Sequence, residues 1–571
     1  MRSARRLLDA LTFAVFVLFT LTALGVQIDL HLFGGHQRVT GFGRPFLVAA
    51  ALLAVRALVD PNGVRRFLGA WRANEAPRPS DVAAARRSRR LLAATALAVA
   101  ISPLFEGPFT SWDEGPSLGA GALLLVLVGA VYALFGARRA LAHGERLEGE
   151  DVVLLLAFPL YVAFVANGEP LSSGDNLATS RLGPLIVQKR TLDLSSVAAF
   201  HEEPLPYAAV WVGDRLLPSF PLGTGLLSVP YAAAALVASS DETTTALFDR
   251  WEKHFASLLT VGAAVLLFLA LRRRFGEKAA FGAALLFGLA TPAFSTGSQA
   301  LWSTTGEVFL ICLVLFLVLG GEPPVPSAAR LLAAGAALGG AFLCRPSALL
   351  AGGFVALAVI VEIRGKAWPL LAAAGLSVGL AAAWLGSLYG HPLGGYGLMN
   401  ASASMWAPTT AGALGTLFSP SRGLVVFFPY VLLAGAGLAA SSRPTKRWWL
   451  AAFGATVATY ALAASYGKWW GGASLGPRLM SEASPFMALL ALPLLTSFRE
   501  RGRWRWTFLG TALFAAATQV LIVNSPAAIG WSARVDVDRN PESLWSLRDS
   551  QIVAAWLPRD TEHKTPAPPP P

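Results

Sequence analysis

Apolar stretches of roughly bilayer-crossing length recur from one end of this chain to the other, and they constrain its fold more than any motif does. A hydrocarbon core of ~30 Å takes about 20 helical residues. Stretches of that order fall at 8–27, 44–60, 91–105, 118–138, 152–167, 255–272, 278–293, 306–320, 328–344, 347–363, 367–389, 424–441, 448–465, 484–497 and 507–523. Inside lipid the backbone amides have no water to bind, so a crossing segment must satisfy its own hydrogen bonds as a helix. The expectation is an all-α polytopic membrane protein with about fifteen transmembrane helices. Composition agrees: 571 residues that are 54% hydrophobic and 14% charged, with a mean hydropathy of +0.55, lie outside the range of soluble globular domains.

The net charge of +12 reports topology and gives no case for nucleic acid, because the basic residues are gathered by loop and not interleaved with aromatics on one face. Clusters such as Arg2, Arg5 and Arg6, the arginines between 65 and 90, Arg272 to Arg274, Arg364 with Lys366, Arg443 to Arg447 and Arg499 to Arg505 fall in alternate loops, all on one side of the expected spans. The loop 106–117 on the other side carries no Lys or Arg. By the positive-inside rule the clusters are cytoplasmic and the N-terminus begins there, ahead of an uncleaved first span. Counting the run Phe220–Val237 as a span would reverse every later loop. Its Pro221, Gly223, Gly225 and Pro230 also argue against a straight crossing helix, so it is expected to lie in the outer interface.

This topology divides the chain into four N-terminal spans within 1–150, a membrane domain at 151–523 with a large first extracytoplasmic loop at 168–254, and a polar segment from 524 that ends in a disordered Pro-rich tail, 565–571. Cys312 and Cys344 both sit in apolar runs and the seven histidines are scattered, so no metal-ligand spacing is present. No Gly-rich dinucleotide or P-loop fingerprint follows a strand, which leaves no room for a nucleotide-sugar fold.

Four motifs share the expected outer side. The first is Gly174-Asp175-Asn176 with Arg181, just past an apolar span, where a carboxylate is costly enough to invite a functional reading. The second is Ser219-Phe220-Pro221-Leu222-Gly223-Thr224. The third is Leu417-Phe418-Ser419-Pro420-Ser421-Arg422-Gly423, followed by Phe427-Phe428-Pro429-Tyr430. The fourth runs from Tyr466-Gly467-Lys468-Trp469-Trp470 through Gly476-Pro477-Arg478 to Pro485-Phe486. Gln299-Ala300-Leu301-Trp302 and Leu343-Cys344-Arg345-Pro346 accompany them.

In this order the set resembles the GT-C superfamily of integral-membrane glycosyltransferases, the branch of protein O-mannosyltransferases and lipid A aminoarabinose transferases that use polyprenyl-phosphate sugars. The resemblance covers roughly 152–498 and leaves the first four spans as an N-terminal extension. It implies a GT-C-like bundle with juxtamembrane helices in the first loop. It also implies transfer of a sugar from a polyprenyl-phosphate carrier to a glycan, lipid or protein acceptor at the outer face of a bacterial cytoplasmic membrane. By resemblance, Asp175 is the catalytic base.

A lipid-borne phosphate needs a fixed cation at the water boundary, and the candidates are Arg478 first, set in a turn by Gly476-Pro477, then Arg422, Lys468, Arg345 and Arg181. Each of these also fits an arginine or lysine that anchors an interface by snorkelling. Trp469 and Trp470 suit stacking on a sugar face or an aromatic belt, and Asn176 and His391 are placed near sugar or acceptor. No metal ligand set is assigned; the superfamily varies in metal dependence, so a divalent cation stays open, and the adjacent Glu202 and Glu203 read most simply as solvated. The competing class is a transporter or flippase of lipid-linked sugars. Such proteins commonly carry inverted repeats and broken midplane helices, whereas here the polar groups crowd one face.

Overall fold

The computed structural model describes residues 28–32, 35–39 and most of 152–557; the interruptions fall at 166, 168–169, 202–203, 239–243, 322–325, 401–405, 407, 437, 439–440 and 497–501. The four expected N-terminal spans, the arginine-rich segment 64–90, Glu202, Glu203 and the Pro-rich tail lie outside the described residues. The chain divides into two compact units, one of residues 1–169 with 234–254, the other of 170–233 with 255–571.

In the first unit, β1 (Ile28–Leu32) and β2 (Gly35–Val39) pair antiparallel, with Leu32 opposite Gly35. Helix α1 (Phe158–Val165) follows a π turn at Val153–Ala157. The second unit begins with α2 (Leu177–Lys189) and a hairpin of β3 (Ala209–Val212) and β4 (Arg215–Pro218). The short α3 (Gly223–Leu227) comes next, then α4 (Val229–Ala238) and α5 (Thr244–Phe275), of which residues 234–238 and 244–254 count with the first unit, and α6 (Glu277–Leu289), α7 (Ser303–Leu319) and α8 (Ala328–Cys344). Helices α9 (Ala348–Ile363), α10 (Trp368–Tyr389), α11 (Thr410–Phe418), α12 (Arg443–Ser465), α13 (Ser484–Leu490) and α14 (Gly502–Asn524) complete the bundle. Two short helices close the described chain, α15 (Trp531–Val535) and α16 (Gln551–Trp556).

The fold is mostly helical, as expected, and departs from all-α at the hairpins. β3 and β4 form where Val210, Trp211 and Val212, good strand formers, meet a two-residue turn whose Gly213 sits at φ +62°. Among the described residues four stretches can cross a membrane by length and composition: Glu252–Phe275, Ala348–Tyr389, Arg478–Thr496 and Trp504–Asn524. Ala348–Tyr389 is two helices, because Arg364 at φ 51°, ψ −127° breaks the ladder between α9 and α10. Helices α7 and α8 are apolar but 17 residues each, which at 1.5 Å per residue is about 26 Å. The expected span at 424–441 is not a continuous helix: a four-residue helix at Leu424–Phe427 gives way at Pro429 to a 3-10 turn and loose turns. A proline there withholds an amide from the ladder.

Small residues bring the helices together. A Cβ on Gly335 would sit 2.5 Å from the Leu370 carbonyl, and one on Gly339 would sit 2.4 Å from Ser377, so α8 and α10 touch backbone to backbone. The Ser377 hydroxyl donates to the Gly335 carbonyl across that contact at 3.1 Å. Small residues four apart with an interhelical hydrogen bond are a packing solution suited to lipid, where apolar bulk between helices gains nothing. The outward faces of these helices are apolar and exposed, with Leu376 and Leu380 on α10, Leu450 on α12 and Leu513 on α14 more than half accessible. Faces of that kind belong against acyl chains.

Charge marks the two ends of the bundle. At one end Glu362, closing α9, accepts from Arg274 at the foot of α5 at 2.5 Å, lies 3.5 Å from Arg447 at the start of α12, and accepts from the Trp448 indole. Three of the basic loops expected to share a side therefore meet there. Helix α12 has 23 residues, about 34 Å at 1.5 Å per residue, and its far end carries Tyr466 into the opposite group of loops.

Candidate active site

The loop that follows residue 170 builds its acidic corner from a capping box. Ser173 Oγ accepts from the Asp175 amide, Asn176 Oδ1 accepts from the Ser173 amide, and α2 starts from the single 3-10 turn so formed. Gly174 is needed at this turn, since a Cβ there would lie 2.7 Å from the Tyr207 hydroxyl. Tyr207 consequently closes over the turn and donates to Asp175 Oδ1 at 2.6 Å.

The loop is then fastened to the bundle. Leu182, Leu217 and Leu222 pack with Phe342, Ala381, Leu385 and Tyr389 in one buried cluster, and the Tyr389 hydroxyl donates to the Pro218 carbonyl. In the Pro-Leu-Gly-Thr motif, Gly223 lies so close to α8 that a Cβ would be 2.3 Å from the Cys344 amide. Thr224 Oγ1 donates to the Ser303 carbonyl at the start of α7. Those are the ends that present Trp302 and Arg345, so this motif sets the loop against the site.

The result is a cavity of about 650 Å³ where the N-terminus of α7 meets the C-termini of α8 and α12. Asp175, Arg345, Lys468 and Arg478 line it together, with Tyr207, Trp302, Tyr396, Tyr466, Glu482 and Asp538. Arg478 Nη1 lies 2.6 Å from Asp175 Oδ2, and its guanidinium rests 4.5 Å from the centre of the Trp302 ring, a cation–π contact. Arg345 is ion-paired with Glu482 and donates to Ser347, which in turn donates to Glu482 at 2.8 Å. Lys468 Nζ and the Trp470 indole each donate to one oxygen of Asp538 at 2.8 Å.

Burial works against the Asp175 charge, but the Arg478 guanidinium and the Tyr207 hydroxyl outweigh it and hold the carboxyl below the ordinary aspartate range. Burial and the adjacent carboxylate push the Tyr207 phenol up, so it stays a donor. Asp538 is likewise held low, because Lys468 and Trp470 outweigh its modest desolvation.

The remaining sequence candidates lie off the cavity. Arg422 is 2% exposed and sits behind it, with Nη1 on Gln551 at 2.5 Å, Nη2 on Ser532 at 2.8 Å and Nε on the Trp470 carbonyl at 3.0 Å. Gln551 also accepts from the Gly476 amide and donates to the Ser474 carbonyl. Arg422 and Gln551 therefore brace the loop that presents Lys468 and Arg478. Arg181 is buried in α2, where it donates to Ser180. Asn176 shapes the capping turn, and His391 accepts from the Leu393 amide in the turn leading to Tyr396. Trp469 is packed with Trp531, Val537 and Leu544, against Trp545. The aromatic rings that do face the cavity are Tyr207, Phe220, Trp302, Tyr396, Trp406 and Tyr466.

Among the described residues no three His, Cys, Asp or Glu side chains are gathered so as to hold a metal ion. Fold and site together define a mostly helical chain whose described residues include stretches long and apolar enough to cross a membrane, with a charged, aromatic-walled cavity at one end of its bundle. No protein-family model matches the chain, and no curated protein matches it.

Proposed function

We propose that the chain is an integral-membrane glycosyltransferase that moves a sugar from a polyprenyl-phosphate carrier to an acceptor hydroxyl at the extracytoplasmic face. The observation that carries the reading is Asp175, kept ionised 2.6 Å from Arg478 on the wall of a cavity that also holds Arg345 and Lys468. A carboxylate beside cations is what displacement at an anomeric carbon requires when the leaving group is a phosphate. The carboxylate orients the acceptor hydroxyl and takes its proton as the new C–O bond forms, while the cations meet the charge left on the phosphate.

A depressed pKa makes Asp175 a weak base, so proton transfer belongs late, when the attacking oxygen has become acidic. One carboxylate suffices for inversion, with no covalent intermediate. The aromatic walls offer faces to a sugar ring, and the apolar outer surface of the bundle suits a polyprenyl chain.

The test is reconstitution in proteoliposomes with a radiolabelled polyprenyl-phosphate sugar, scoring both sugar transfer and release of the carrier phosphate. Asp175→Asn is expected to abolish transfer while carrier binding persists. Full transfer by that variant removes Asp175 as the base. Passage of intact carrier across the bilayer without bond cleavage would instead make the protein a translocator.

A further inference from the structure

The sequence marks the chain beyond 524 as a polar segment on the outer face, but its last described helix turns back along the bundle. Helix α16 starts behind the cavity, where the Gln551 amide donates to Ser421 at 3.1 Å and the Gln551 side chain holds Arg422 and the Ala528 carbonyl. Further along, Ser525 Oγ donates to the Ala554 carbonyl at 3.2 Å. At the tip the Trp556 indole donates to Thr518 Oγ1 at 3.0 Å and stacks on Phe514, with ring centres 5.5 Å apart. Thr518 and Phe514 lie six and ten residues before the end of α14 at Asn524, about 9 and 15 Å down its axis at 1.5 Å per residue. The hydrocarbon core that such a helix crosses is ~30 Å thick, so the tip of α16 stands at the depth of one leaflet.

The chemistry of that tip fits hydrocarbon. No charged residue occurs from Ser550 to Leu557. Trp556 is 40% exposed, yet its one polar side-chain atom is turned inward onto Thr518, so the accessible part of the ring is carbon. An indole at a water boundary keeps that end for the water. Leu557 beside it is 66% exposed. The helix end is also provided for, since the Val553 carbonyl takes the Leu557 amide and the Ala554 carbonyl takes Ser525. Carbonyls left open at a helix end are costly where no water can reach them.

We propose that α16 is a re-entrant anchor: Trp556 and Leu557 lie among the acyl chains of the leaflet on the cavity side, and Gln551 ties that contact to the cavity wall. The occupant is lipid, because the exposed surface continues through the stacked Phe514 onto the apolar outer face of α14, where Leu513 is 60% exposed. At the other end Gln551 is fully buried and, besides Arg422, accepts from the Gly476 amide at 2.9 Å, in the turn that presents Arg478. Lipid packed on the tip therefore holds that turn. The inference uses the membrane helices alone and stands apart from the transferase reading.

The test is fluorescence quenching in proteoliposomes of the full-length protein carrying Leu557→Cys labelled with bimane; Cys312 and Cys344 are buried. Arg539→Cys, at a side chain 86% exposed, is the aqueous reference. The Leu557 label should lose most of its emission to a nitroxide-bearing phospholipid and little to iodide, and the Arg539 label the reverse. Iodide quenching as strong at Leu557 as at Arg539 puts the tip in water and overturns the proposal. Protection from both quenchers means that protein covers the tip, which also overturns it. The tie to the cavity is read by hydrogen exchange at the Gly476 amide, which should be faster in Leu557→Asp than in the wild type. A leucine facing water would tolerate that change, so unaltered exchange overturns the tie.

Discussion

The Asp175–Arg478 pair has a measurable energy, and a double-mutant cycle isolates it. With about 4 Å between charge centres and an effective dielectric near 20, the Coulomb term is roughly 4 kcal/mol. The pair is not fully desolvated, at 22% and 14% side-chain exposure. Its coupling should fall between the roughly 0–1 kcal/mol of an exposed pair and the roughly 3–5 kcal/mol lost when one partner of a buried pair is removed. The expectation is about 2 kcal/mol, a central value between those limits. The assay is reversible unfolding in mixed micelles of wild type, Asp175→Asn, Arg478→Gln and the double variant, with the coupling taken as the non-additive part.

The pH dependence has a definite sign. Asp175 is held below its ordinary value, so its contribution is complete above the unfolded-state pKa and is lost as pH falls through the lower folded-state pKa. The coupling should therefore be flat through the neutral range. A coupling under about 0.5 kcal/mol, the size of a weak surface pair, would refute the reasoning that this carboxylate is electrostatically committed to Arg478.

Tyr207→Phe removes a donor to the charged form of Asp175, so the acid limb of the transfer rate should move to higher pH. A half-exposed hydrogen bond to a charge contributes about 1 kcal/mol, equivalent to somewhat under one unit, and an unmoved limb would show that Asp175 does not set it. Gly339→Leu drives a side chain into Ser377 and should destabilise the α8–α10 contact by at least about 1–3 kcal/mol, read as a lower melting temperature in micelles. Glu362→Ala leaves Arg274 and Arg447 without their shared carboxylate and should cost about 2–4 kcal/mol while sparing ligand binding in the cavity at the far end of the bundle.

What the sequence made legible depended on whether the signal was local. Hydropathy located the four described stretches that are long and apolar enough to cross a membrane, and the meeting of Arg274, Glu362 and Arg447 agrees with the grouping of basic loops. Asp175 stood out because a carboxylate beside an apolar span is expensive, and Arg345, Lys468 and Arg478 as cations for a lipid-borne phosphate within the motifs that carry the resemblance; all four line the cavity. Arg422 carried the same signal for a different reason: its charge is spent holding Gln551, Ser532 and the Trp470 carbonyl. Pattern alone cannot separate a guanidinium that faces a cavity from one that braces its wall.

Tyr207, Glu482, Asp538 and Gln551 were not found, since each enters the site through packing of a segment distant in sequence. The β3–β4 hairpin did have a local signal, Val210-Trp211-Val212 before Gly213-Asp214. It was obscured by the helical character of everything around it.

The account depends most on the cavity opening to the extracytoplasmic side, opposite the Glu362 cluster. Single cysteines at Ala473, exposed on the cavity wall, and at Arg443, exposed at the other end of α12, can be probed with a membrane-impermeant maleimide on intact cells; the native Cys312 and Cys344 are buried. Ala473→Cys should label on intact cells and Arg443→Cys only after the membrane is opened. Labelling in the reverse order, or of both from one side, would contradict the account.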